Sequence, residues 1–347
     1  MKDLIKKLIG RNKETSIYKF SSGLYKKYAP YITVFTNMFY DLYFFCKHSN
    51  VFSVNTIQKA EAKIILDYHS IEKGLLHKNI RLGFGKEKVI RLQKYLSDKK
   101  LQQFIHLSQI EIGYKVMCEY YELHKEHHFD ISEYFPEQTY LEYKNYLGSK
   151  YDNAFKGYYD FTATDYFNSC TASFEQFSHS RKSVRNFSPV PVDDTLIEKA
   201  VRLASNAPSV CNRQPSRVYY VKNKKKIDQI LELQAGLEGY SQDINQLLVV
   251  TADVNYFYLV GERYQHYIDG GLFLMNLLYA LHYYKIAACP ANWAKETSDE
   301  KKIKKIIPIK KSEKVLCIVA IGNPTETFRT TLSKRRDVSE ILTKIDS

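Results

Sequence analysis

Three short segments concentrate the side chains that could do chemistry. The first is Ser180-Arg-Lys-Ser-Val-Arg-Asn-Phe187, which sets Arg181, Lys182 and Arg185 around Ser183. Guanidinium and ammonium groups beside a hydroxyl and free backbone N–H groups suit a phosphate or another anionic oxygen. Taken alone, a basic hexapeptide reads as a solvated surface. The second segment is Ala207-Pro-Ser-Val-Cys-Asn-Arg-Gln-Pro215, a loop with Pro208 and Pro215 near its two ends. Its amides, Asn212 and Gln214, offer both donors and acceptors, as the edge of a heterocycle requires. The alternative is a loop that hydrogen-bonds itself. The third is Ser333-Lys-Arg-Arg336, either a basic tail or, with Arg181, a phosphate clamp assembled from both ends of one domain.

Positioning these segments falls to elements whose texture changes along the chain. The 347 residues suffice for one large domain or two ordinary ones. Lys and Arg exceed Asp and Glu by 51 to 38, a net charge of +13. That excess suits an anionic partner, or reflects a sequence simply rich in Lys. The first part reads as helical, with apolar residues three and four apart over Ala60–Leu66, Lys86–Leu96 and Leu101–His124. Tyr68-His-Ser-Ile-Glu-Lys-Gly-Leu75 and Gly83-Phe-Gly85 read as loop, and no strand is convincing before Cys170. From Ser178 helices and strands alternate. Helices are expected from Asp193 or Asp194 to Ser205, over Lys224–Leu233 and over Asp269–Tyr284. Strands are expected at Ser216–Val221, Leu247–Thr251 and Val315–Ile321. The pattern is α+β around one sheet, with a helical region over 1–165 and a second domain over 166–347.

The three segments, in this order, resemble the nitroreductase family of FMN-dependent oxidoreductases. Arg181, Lys182, Ser183, Arg185 and Phe187 match its opening motif, and Pro208, Ser209, Asn212, Gln214 and Pro215 match its Pro-Ser-x-x-Asn-x-Gln-Pro loop. Asp269, Gly271, Asn276 and Leu277 match a later helix, and a basic pair after Gly322-Asn-Pro324 is similar to Lys334 and Arg336. The resemblance implies a mainly antiparallel central sheet flanked by helices, here with a helical N-terminal extension. It implies FMN, with Arg181, Lys182 and Ser183 along the phosphate and ribityl chain and Lys334 and Arg336 completing the phosphate clamp. Arg185 would then face the N1–C2=O side of the flavin ring, and Asn212 and Gln214 would hydrogen-bond the ring system. Flavin N5 would carry the redox chemistry, so no catalytic acid, base or nucleophile is required. NADH or NADPH is the implied reductant, a small molecule the acceptor, and a homodimer packed through the helix after Asp269 the implied assembly.

The sequence departs from the family where Lys285-Ile-Ala287 stands in place of a Gly-Leu-Gly turn. Cys289 and Pro290 would follow beside the dimethylbenzene side or substrate face of the flavin. The motif from Tyr68 to Leu75 resembles long nitroreductase-like proteins encoded among bacterial polysaccharide-biosynthesis genes. A non-catalytic or flavin-sensing partner of a glycan assembly system is therefore the second reading, and flavin or oxygen chemistry without nicotinamide a third. Six cysteines without C-x-x-C spacing read as free thiols in a reducing, cytoplasmic setting. The first nine residues lack the apolar core of a signal peptide. Residues 31–45 form the most apolar stretch, too short to span a bilayer; they read as an interfacial helix touching a membrane or, preferably, as a buried amphipathic one. His124 and His128, one helical turn apart, lack further ligands for a metal and read as a solvated helix end. No nucleic-acid-binding motif accompanies the positive charge.

Overall fold

The structure is a computed structural model that describes residues 16–345, with side chains from residue 27 onward. The expectation about the extreme N-terminus lies outside the described residues. The chain divides into two compact units. One comprises the described residues up to Asn55 with Tyr258–Arg263; the other holds Thr56–Phe257 and the chain from Tyr264.

The first unit is built on α1, Ser16–His48. Arg263 holds it by a two-pronged bond to Asp41, with Nε and Nη2 at 2.7 and 2.9 Å from the two carboxylate oxygens. The preferred reading of residues 31–45 as a buried helix is not met. Tyr31, Phe35 and Phe39 are 73%, 71% and 64% exposed, because within this unit one short loop is what packs on the helix.

The second unit begins with helices α2 (Ile57–Gly74), α3 (Lys86–Leu96), α4 (Ser108–Glu126) and α5 (Glu137–Leu147). Their apolar faces share a core of Ile64, Leu92, Val116 and Phe135 with the buried rings of Tyr114 and Tyr143. The segment from Tyr68, expected as loop, is helix through Gly74. Its apolar Ile64, Tyr68 and Ile71 fall on one buried stripe, which outweighs its polar residues. The turn glycines were legible: Gly83 and Gly85 have φ of 75° and 67°. His124 is neither solvated nor a metal ligand. It is buried, with Nε2 accepting from Gly83 N–H at 2.8 Å and Nδ1 2.7 Å from the Tyr120 carbonyl.

A strand does precede Cys170. β1, Tyr158–Thr162, pairs antiparallel with β6, Thr327–Thr331, so a residue near the middle of the chain is tied to its last strand. β1 lacks clear alternation because it belongs to a two-stranded ribbon with both edges open. The central sheet has the order β2 (Ser216–Val221), β3 (Gln246–Asp253), β5 (Glu313–Gly322), β4 (Ala287–Asn292), all antiparallel. Helix α6 (Phe174–Ser180) leads toward the sheet, and further helices cover both of its faces. Leu247 and Val249 of β3 point toward α8 (Lys224–Gln234) and α10 (Thr297–Ile306), and Leu248 and Val250 toward α7 (Asp194–Ala204) and α9 (Gln265–Tyr283). Burial on both faces makes β3 read as a continuous apolar run. This is the α+β architecture expected, a mainly antiparallel sheet flanked by helices with a helical N-terminal region.

Within the helical layer, Glu119 is held proton-bound well above the usual carboxyl range, at about 8, mainly by burial and further by Glu72, against the lowering effect of the Gly157 N–H. The folded state thus keeps a proton that the unfolded chain releases near 4.5, so stability falls as pH rises from there to about 8. Glu119→Gln, which still accepts from Gly157, is expected to flatten this loss, which is at most about 1.4 kcal/mol per pH unit. Urea unfolding at both ends of the window checks it; an unchanged pH dependence contradicts the assignment.

Candidate functional site

The basic hexapeptide is held on three sides. Val184 N–H donates to the Ala288 carbonyl at 3.0 Å, which lays the segment along β4. Phe187 bridges to Pro324, and its ring fills the notch left by Gly322, where a Cβ would stand 2.8 Å from the ring. The Tyr166 hydroxyl brackets Lys182, donating to its carbonyl at 2.8 Å and accepting from its N–H at 3.2 Å. The Gly-Asn-Pro turn and the Phe of the basic motif are therefore two parts of one packing contact.

Held this way, the three cations converge without acids. Arg185 is only 7% exposed, its Nε has no partner, and its Nη1 reaches the Ser183 carbonyl at a long 3.4 Å. Arg181 Nη1 is likewise buried and unpartnered. Lys182 lies over the Tyr159 ring at 5.0 Å and is pushed below its usual range by burial, then by Arg335 and Arg181. Among the described residues none of Arg181, Lys182 and Arg185 forms an ion pair. A buried cation left without a counterion costs several kcal/mol, by order of magnitude, so these donors fit an anionic group seated against Ser183. His282 stands behind them, its Nε2 2.8 Å from Ser180 Oγ, and is kept neutral to about pH 4 by burial and by Arg181.

The C-terminal clamp differs from expectation. Arg336 is not available to a phosphate: Nη1 and Nη2 grip Glu61 at 2.7 and 2.8 Å, and Nη1 also meets Glu340 at 3.0 Å. Lys334 is exposed and stands 3.8 Å from Asp337, while its carbonyl accepts from Gln109. Arg335, the middle residue of the triplet, is exposed, with Nη1 donating to the Ser333 carbonyl at 2.7 Å, and is one of the two charges that lower Lys182. The chain turns at Ser333, whose φ is 45°.

Cys289 also departs from expectation. It sits on β4 with 1% exposure, packed in the core under α8 and α10, so it presents no thiol to a substrate. Burial raises its pKa, against the pull of Arg185, Lys73 and Arg181 in that order. Pro290, next along the strand, is half-buried on the opposite face. Lys285 has φ of 58°, the left-handed conformation for which glycine is suited, in the stretch where the family's glycines are missing.

The amide loop is strained and braced. Cys211, Asn212 and Gln214 have φ of 50°, 55° and 49°, each costing about 1–2 kcal/mol for a residue with a Cβ. Ser209 Oγ accepts from Gln214 N–H at 2.9 Å, and Asp269, buried at the start of α9, accepts from Val210 N–H. Asn276 donates to the last carbonyls of α7, at Leu203 and Ala204. The Asp and Asn of the α9 motif thus shape the loop and its neighbouring helix end. Asn212 and Gln214 are exposed and bonded to each other at 3.0 Å, and Pro208, Ser209 and Gln214 line a shallow cavity of about 130 Å³ with Asp269 and Phe273.

One chain does not bring the loop and the hexapeptide together. Ser216, just after the loop, pairs with Ala252 and through it with Lys314; Ala288, beside Val184, pairs with Ile321 at the other end of β5. Seven residue steps along β5 and three strand spacings across place these corners about 28 Å apart on the sheet. A cavity of about 590 Å³ lies elsewhere, beside β1 and β6, and meets the hexapeptide at Asn186. Sequence reasoning missed Tyr166, which nothing local signalled. Millimolar phosphate is expected to raise the thermal midpoint more than chloride at equal ionic strength, and Arg185→Met to abolish that difference; an undiminished phosphate effect in the variant contradicts the anion site.

Residues 179–323 match the family model described as the nitroreductase family. The iodotyrosine deiodinase of Hydra vulgaris is 23% identical over 194 residues, covering 48% of this chain and 71% of that protein. A nitroreductase-like protein from Streptococcus mutans is 23% identical and aligns with 50% of this chain and 98% of its own at a TM-score of 0.43. The NADPH:FMN oxidoreductase of Vibrio harveyi, complexed with NAD+, is 14% identical and aligns with 50% and 77% at 0.43. The basic hexapeptide, the amide loop, the α9 motif and the Gly-Asn-Pro turn all fall within the matched span or at its edge. Residues 179–323 are thus the part of the chain that is similar to the nitroreductase family.

Proposed function

We propose that the chain is an FMN-dependent oxidoreductase that passes hydride from NADH or NADPH to a small organic acceptor. The observation that carries this reading is Arg185, a buried guanidinium with no acidic partner in the segment that matches the family. When bound, FMN supplies hydride chemistry at N5. The residues of the chain bind and orient it. Arg181, Lys182 and Ser183 offer charge-assisted and hydroxyl contacts to a phosphate. Arg336 is engaged by Glu61 and Glu340, so the clamp expected at the C-terminal tail falls to its remaining cations, Lys334 and Arg335. Arg185 stabilises negative charge on the pyrimidine side, where donors fixed in a dry site act without reorganising.

We further propose a homodimer in which the amide loop of one chain closes the basic site of its partner. Two support points are on the structure. The loop and hexapeptide occupy opposite corners of the same sheet, further apart than one flavin ring system reaches. The helix between them, α9, exposes Ile268, Leu272, Met275 and Tyr283, an apolar stripe suited to a second copy. The cytoplasmic setting rests on the six free cysteines. A role in surface-polysaccharide biosynthesis rests on the resemblance of Tyr68–Leu75 alone.

Protein purified without added flavin is expected to show flavin absorbance that bleaches on anaerobic addition of NADH or NADPH. No bands even after incubation with FMN would end the enzyme reading, and bands that persist would point to another reductant. Arg181→Ala is expected to weaken FMN binding by about 1.5–3 kcal/mol, read by fluorescence titration. Mixing Arg181→Ala with Gln214→Ala chains, after exchange, is expected to restore one intact site per dimer, whereas a site built within one chain would show no recovery.

A further inference from the structure

Two cavities of the second unit share a wall. One, of about 590 Å³, lies along the β1–β6 ribbon and reaches Asn186. The other, of about 280 Å³, lies between the ribbon, α4 and the chain that follows α2. Lys78 and Arg329 line both. Asp160 and Arg329 are opposite each other in the ribbon, and Tyr158, two residues before Asp160, stands on the same face.

Arg329 is fixed before any ligand arrives. Nε donates to Asp160 at 2.9 Å, Nη1 donates to the Leu75 carbonyl at 3.1 Å, and the guanidinium lies over the Tyr158 ring at 4.2 Å. Among the described residues Nη2 takes no partner, and the exposed Lys78 makes no hydrogen bond or ion pair. Two positive groups on one wall, one of them held rigid, suit a phosphate or carboxylate oxygen. The acid of the smaller cavity does not oppose them. Glu119 accepts from the Gly157 N–H at 2.8 Å and, mainly through burial, stays proton-bound to about 8.

The larger cavity is lined differently. Asn186 is part of its wall, and the Asn186 Oδ1 is buried without a donor. A buried acceptor left unmet by the fold calls for a hydroxyl or N–H from a ligand. Thr162 and Asp165, joined at 2.7 Å, add further polar groups beside it. The Phe161 and Phe328 rings, stacked with centroids 6.0 Å apart, add aromatic carbon. Amide and carboxylate oxygens next to aromatic carbon match a sugar ring, whose hydroxyls donate and whose C–H face is apolar.

We propose that the two cavities together bind a sugar bearing one anionic group, a phosphate or a carboxylate. The anionic group meets Lys78 and the Nη2 of Arg329 at the shared wall, and the ring hydroxyls reach Asn186. The site is distinct from the basic hexapeptide and does not depend on the flavin reading. Apart from Asn186, the residues invoked lie outside the family-matched span.

Calorimetric titration with glucose 1-phosphate, glucose 6-phosphate and glucuronate tests the proposal, with glucose and inorganic phosphate as part-ligands. At least one of the three sugar anions is expected to bind more tightly than either part; a preference for the phosphates or for glucuronate identifies the anionic group. Lys78→Gln, a change at an exposed side chain, should weaken that binding about tenfold. Asn186→Leu should remove the advantage over the part-ligands. Arg185→Met, which disables the hexapeptide, should leave the binding unchanged. Loss in Arg185→Met with none in Lys78→Gln assigns the ligand to the hexapeptide and overturns the proposal. No binding of any of the three, or binding no tighter than that of inorganic phosphate, overturns it as well.

Discussion

A guanidinium buried without a carboxylate is the constraint around which this domain is arranged. Arg185 is almost fully withdrawn from water, yet its one recorded contact is a long bond to a carbonyl two residues back. Such a group cannot be explained by stability alone, since removing a cation from water costs several kcal/mol by order of magnitude. The surroundings hold it in place regardless. Val184 is stitched to β4, Phe187 is locked into the Gly322 notch, and Tyr166 clasps Lys182. Donors fixed before a ligand arrives need not be reorganised when charge develops on it. The same logic accounts for the strained amide loop, where three left-handed residues are kept by Ser209 and Asp269.

The sheet then decides how those donors can be used. β4 is one edge and β2 the other, and the hexapeptide and the loop attach at opposite ends of them. The intervening strands are packed on both faces, so no movement short of unfolding brings the two segments of one chain together. The homodimer proposed above would resolve this without distortion, because a two-fold axis can bring unlike corners of the same surface into register.

Much of this was legible in the sequence, and the exceptions have physical causes. β3 and β5 announced themselves by apolar runs because both faces are covered, and β2, at the sheet edge, by its β-branched and aromatic residues. The helices from α7 to α9 were legible by periodicity. β1 was not, since it buries too little to impose alternation, and β6 was not, since its buried residues are mostly threonines and follow no alternation. β4, with Cys289-Pro290 in its middle, reads as irregular; Pro290 is tolerated because this strand is the sheet edge. The first two motifs of the site were readable because each is contiguous. The docking of Arg336 was not, because its partner Glu61 lies 275 positions away along the chain.

The fate of Arg336 shows why the helical layer should be counted with the site. In a free-standing domain this residue would be available to an anion. Here it makes a two-pronged bond to Glu61, which is 4% exposed, and Glu340 of the same grip accepts from the Ser108 N–H. A buried carboxylate with that geometry tolerates no loss of its partner without a penalty of about 3–5 kcal/mol. The tail is therefore positioned by α2 and α4. Gln109 reinforces the arrangement by donating to the Lys334 carbonyl. One arginine of the basic tail is thus spent on docking to α2, so the helical layer decides which tail cations stay open to an anion, and the part of the chain that carries the basic motif is braced by the layer that precedes it.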